Sequence, residues 1–121
     1  MSPETSVEVR LMEESLTPEE KDVLVAGLGQ WGGPARMTDE VAKVIGFEST
    51  RAFYSDVQRI RRDVEHGDLS PTDARRALMA TEFVFVSDVI GAGVEWETVT
   101  GMPDDETLRL LRGLQRKLIQ R

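Results

Sequence analysis

From Ala77 to Ile90 the chain is apolar on nearly every side, through Ala77, Leu78, Met79, Ala80, Phe83, Val84, Phe85, Val86, Val89 and Ile90. A helix of that kind has no face to give to water and must be enclosed by other elements. The β-branched and aromatic run Phe83 to Val86 also suits a buried strand, but the segment's length and the preceding Ala-Arg-Arg-Ala-Leu-Met-Ala favour helix. Glu82 and Asp88 interrupt the apolar stretch Leu78 to Val94, which makes it a buried helix and not a membrane span. With 121 residues, 40% of them apolar, the chain can enclose such a helix within one modest core.

The enclosing elements announce themselves by their caps. Thr17-Pro18-Glu19-Glu20 offers a capping residue, a proline suited to the first helical position and a glutamate that completes a capping box. Leu24, Leu28 and Trp31 follow at helical spacing, and Gly32-Gly33-Pro34 stops the run. Thr38 starts a second helix with Asp39 and Glu40 in its first turn, and Gly46 suits its end. Ser49 or Thr50 caps a third, whose Phe53, Val57, Ile60 and Val64 share one face. Ser70-Pro71 opens the apolar fourth. Pro103 opens a fifth with Asp104, Asp105 and Glu106 at its N-terminus, a stripe of Leu108, Leu111, Leu114 and Leu118, and bases near its C-terminus. The pattern predicts helices near 18–31, 38–46, 50–66, 71–91 and 103–119. The fold expected is all-α: a single-domain bundle of about five helices over 17–121, after a flexible N-terminal tail at 1–16. Leu78, Phe83, Phe85, Val89, Leu111 and Leu114 are expected in one core. Residues 94–100 alternate and fit a short strand or one helical turn.

Residues 38–62 form a helix-turn-helix-like unit: short helix, glycine turn, longer helix. On Val41-Ala42, Gly46-Phe47, Ser49 and Phe53 it resembles the second half of an AraC-type DNA-binding domain, over about a fifth of the chain. The resemblance implies that the helix after Gly-Phe enters the major groove. It would bring Arg51, Tyr54, Ser55 and Gln58 near bases and Arg59 and Arg62 near phosphates. That family carries two such units, and only one is visible in this chain.

Charge opposes the nucleic-acid reading. The net charge is −7, and residues 47–66 balance four arginines with four acids. Such a chain is repelled by phosphate backbones unless a local patch overrides the total. The charge is unevenly spread: residues 77–108 hold seven acids and no base, and residues 109–121 hold five bases and no acid. Glu82 and Asp88, set in apolar sequence, are expected to point to the rim or to pair with Arg75, Arg76 or the C-terminal bases.

Enzyme chemistry has little to stand on. With no cysteine and one histidine, neither a Cys/His nor a Ser/His nucleophile is suggested, and no cofactor motif or metal-ligand spacing is visible. Met1 to Ser15 lacks the basic and apolar segments of a signal peptide, so a cytoplasmic location is expected. The expected function is therefore that of a small helical regulator, adaptor or inhibitor-type module acting through protein–protein contact. Trp96 between Glu95 and Glu97 is the expected contact site, for a basic partner, because a large aromatic ringed by charge is how interface hot spots are built. The leucine stripe of the last helix offers a second, homo-oligomeric contact. The alternative is a helix-turn-helix DNA-binding or transcription-associated protein.

Overall fold

The computed structural model describes residues 16–33 and 35–118. The expected tail at 1–16 therefore lies outside the described residues except for Leu16, which is buried in the core just ahead of the Thr17 cap. Among the described residues the chain forms six α-helices and no strand. They are α1 (Pro18–Gly29), α2 (Asp39–Val44), α3 (Thr50–His66), α4 (Pro71–Val86), α5 (Trp96–Thr100) and α6 (Asp104–Leu118), with a 3-10 turn at Gly93–Glu95.

The caps act as their sequences imply. The Glu20 N–H donates to Thr17 Oγ1 at 3.1 Å while the Thr17 N–H donates to Glu20 Oε1 at 2.9 Å. Thr38, Ser49 and Ser70 each accept from the backbone three residues on, at 3.1–3.2 Å. Each bond satisfies an amide that the helix cannot. Glu20 has a second role. Its carboxylate is buried where α1 meets α6, and it accepts from the Lys117 ammonium. A capping residue thus also ties the two helices together.

The axis of the bundle is the pair α1 and α4, with α3 on the far side of α1 and α6 laid across both. The pair crosses at Gly27 and Thr81, where a Cβ on Gly27 would stand 2.4 Å from the Thr81 hydroxyl oxygen. Only glycine permits that approach. Val23, Leu24 and Leu28 of α1, Phe53, Val57, Ile60 and Val64 of α3, Ala77, Leu78, Ala80 and Val84 of α4, and Leu110, Leu111, Leu114 and Leu118 of α6 form one continuous core. At its α3 end Phe53 gathers three edge-on rings, with Trp31, Phe47 and Tyr54 centred 5.1–5.5 Å away.

Three expectations need correction. Helix α4 stops at Val86, five residues short of the predicted end at 91, because Ser87 turns extended and its hydroxyl takes the next free amides. Val89, expected in the core, lies beyond that stop and is 95% exposed. Leu108, expected in the buried stripe of α6, sits on its outer side. Phe83 and Phe85 are only partly buried against the core. The ambiguous stretch 94–100 is helical.

Leu111→Ala should lower the unfolding free energy by about 2–5 kcal/mol, the usual cost of an unfilled core site. Val89→Ala should change it by less than about 0.5 kcal/mol. Urea denaturation of the two variants measures both, and equal effects would contradict this packing.

Candidate functional site

Where α4 ends, the chain makes a tightly bonded elbow. The Val89 and Ile90 amides donate to Ser87 Oγ at 3.2 and 2.9 Å. The Gly91 amide returns to the Ser87 carbonyl at 3.0 Å, and the Ala92 amide reaches back to Val84 at 2.8 Å. Asp88 clasps the far arm, its Oδ1 accepting from the Val94 amide at 2.7 Å. That clasp requires Gly93, whose φ is +45° and whose Cβ, were there one, would lie 1.7 Å from Asp88 Oδ1. The Arg36 amide donates to the Ile90 carbonyl at 3.0 Å and fixes the elbow to the loop between α1 and α2.

The elbow buries Ala92 and half-buries Ile90, and it turns three other apolar side chains outward. Val86, Val89 and Val94 are 74%, 95% and 83% exposed. Asp88 and Glu95 are exposed in the same segment, and Glu97 is exposed two residues after Glu95. Scattered exposed apolar residues are ordinary, but these three valines fall within nine residues of one tightly hydrogen-bonded turn. The sequence held a signal for this: Ser87-Asp88 followed by Gly91 and Gly93 is turn chemistry inside an apolar run.

Of the contact residues expected from sequence, Glu95 and Glu97 are exposed, and Trp96 is not exposed at all. Its ring stands edge-on to Phe85, 5.6 Å between centroids. Its indole N–H donates to Thr107 Oγ1 at 2.8 Å, and the Thr107 hydroxyl donates to the Pro103 carbonyl at 2.9 Å. A tryptophan with its one donor satisfied and its ring enclosed is a core residue. Glu97 is a local cap, accepting from the Asp104 amide at 2.7 Å.

The nucleic-acid candidates Arg51, Tyr54, Ser55, Gln58, Arg59 and Arg62 all lie on the exposed side of α3. Arg59, however, is held by acids: its guanidinium donates to Asp63 and Asp73 at 3.0 Å each and lies 3.9 Å from Asp56. The hydrogen bond to Asp73, against the cost of burial, pushes its pKa up. Asp73 also receives Arg76 at 3.2 Å, and Arg76 donates to the Gly46 carbonyl at 2.8 Å while its guanidinium sits 4.7 Å over the Phe47 ring. Arg59 and Arg76 thus bind the helix-turn-helix-like unit to α4. Of the two embedded carboxylates, Asp88 lies at the exposed rim and takes the Val94 N–H, while Glu82 is half-buried and accepts from the Gln115 side-chain amide.

No grouping of three or more His, Asp or Glu side chains among the described residues is placed to hold a metal ion. No helix among them is long and apolar enough to cross a membrane. No protein-family model, curated protein or solved structure matches the chain.

With Trp31 replaced by Phe, the remaining Trp96 should emit at short wavelength and resist quenching by acrylamide or iodide. Red-shifted, readily quenched emission would put the ring in water. A pH experiment tests the start of α3, where the Thr50 amide donates to the Asp39 carboxylate at 2.8 Å. That bond holds the Asp39 pKa below its ordinary value of 3.8. Its contribution is present above the ordinary value and lost as pH falls through the lowered one. Asp39→Asn should therefore be less stable than the native chain at neutral pH and equal to it in strong acid. A difference that persists in acid would assign the effect to something other than the charge.

Proposed function

We propose that this chain is a protein-binding module that contacts its partner through the elbow at residues 86–95. The observation carrying this reading is the exposure of Val86, Val89 and Val94 on a segment whose amides are bonded. Burying each valine on association is worth up to about 1.5–3 kcal/mol. A segment already fixed in shape loses little conformational entropy on binding, so more of that gain appears as affinity.

The rim selects the partner's charge. Asp88 and Glu95 are exposed within the elbow, Glu97 is exposed two residues beyond it, and no base occurs in the sequence between 77 and 108. A partner surface with apolar residues ringed by Lys or Arg complements this and is drawn in faster at low salt. The absence of cysteine suits a protein working in the reducing cytoplasm. For the DNA-binding alternative, Arg51, Tyr54, Ser55, Gln58 and Arg62 offer an exposed row on α3. The net charge of −7 and the capture of Arg59 by acids weigh against it.

Selection of random displayed peptides on the immobilised protein tests the proposal. Peptides rich in bases and apolar residues should be recovered, and Val89→Asp with Val94→Asp should weaken them at least about tenfold, or about 1.4 kcal/mol. Binders indifferent to those two substitutions, or lost instead on Arg51→Ala with Arg62→Ala, would move the contact surface elsewhere.

A further inference from the structure

We infer that the elbow of one copy accepts the outer face of α6 from a second copy, so that the protein associates head to tail. This rests on the elbow being a contact surface. Its rim is anionic, and it asks for apolar surface set among cations. The outer face of α6 has both. Arg109, Arg112 and Arg116 are exposed along it, Leu108 is 49% exposed beside them, and no acid occurs between 107 and 118.

These guanidiniums are lightly engaged at home. Among the described residues Arg109 pairs with Glu106, at 4.0 Å with both side chains largely in solvent, a contact worth almost nothing. Arg112 donates to the neutral Gln115 at 3.0 Å. No ion pair among the described residues joins this row to Asp88, Glu95 or Glu97 of the same chain. Helix α6 is held in place by its buried leucines and by the Glu20–Lys117 pair, so it is not free to swing onto its own elbow. The stems of the arginines would cover Val89 and Val94 while their heads meet the carboxylates.

Elbow-on-elbow pairing is disfavoured. A two-fold contact would set Asp88 and Glu95 against their own copies. Pairing different patches leaves one elbow and one arginine row free at the ends, so growth continues unless the rotation closes a ring. The shared net charge of −7 resists assembly at long range. At physiological salt that repulsion is screened beyond about 8 Å, while contact pairs persist.

Sedimentation velocity of the full chain at physiological salt tests this. Mean mass should rise with concentration beyond the dimer, or settle at a ring, and fall back in about 1 M salt. Glu95→Arg with Val89→Asp removes the elbow, and Arg112→Glu with Arg116→Glu removes the row. Each double variant should be monomeric with an unchanged circular dichroism spectrum. Mixed, they should stop at a one-to-one dimer, since each retains the surface the other lacks. A native chain that stays monomeric, or an assembly untouched by Arg112→Glu with Arg116→Glu, overturns the head-to-tail association. If displayed basic peptides still bind the elbow of that monomer, the protein-binding reading survives alone. If they do not, both fall.

Discussion

The close crossing of Gly27 over Thr81 sets the spacing on which the remaining contacts depend. With no side chain on Gly27, the Thr81 side chain lies directly against the α1 backbone, and α1 and α4 approach closely enough for both to be contacted by α3 and α6. The approach has a cost, since the Thr81 hydroxyl is buried without a hydrogen-bond partner among the described residues. An unmet buried hydroxyl costs about 1–3 kcal/mol, which the surrounding core must offset. Much of the apolar character of α4 is then accounted for: one side meets α1, another meets α6, and Phe85 in its last turn stands against Trp96, while Val86 is left facing outward.

Much of this was legible because it is local. Thr17, Thr38, Ser49 and Ser70 mark helix starts by supplying acceptors to amides that always need them, whatever the tertiary setting. The stripe Phe53, Val57, Ile60 and Val64 marks a buried face by period alone. What failed depended on neighbours distant in sequence. Val89 continues the apolar run, and its exposure follows from the Ser87 turn and the return of Ala92 to Val84. Trp96 among glutamates looks like a surface anchor, and its burial depends on Thr107 and Phe85. For Arg59, sequence spacing alone offers Asp63, one turn along α3. The structure adds Asp73, from a helix that the α3 pattern does not contain.

The same facts redistribute the candidate surfaces. Residues 94–97 keep their carboxylates at the surface but lose their aromatic to the core, and the apolar character missing there is supplied by valines a few residues upstream. The charge segregation seen in the sequence becomes spatial: an anionic elbow leads through α5 into α6, whose outer face turns cationic after its first turn. The leucine stripe of α6, which alone suggested oligomerisation, is largely consumed by the core, and the exposed arginine row is what remains for a partner.

The central claim is that the elbow is an exposed apolar surface held in one shape. Amide hydrogen exchange of residues 87–94 tests it most directly. The Gly91 and Ala92 amides should exchange on the order of a hundredfold more slowly than an unstructured chain, although the valines around them are in water. Exchange at unstructured rates through the whole segment would contradict it, because a loop that opens freely has no preformed surface to offer.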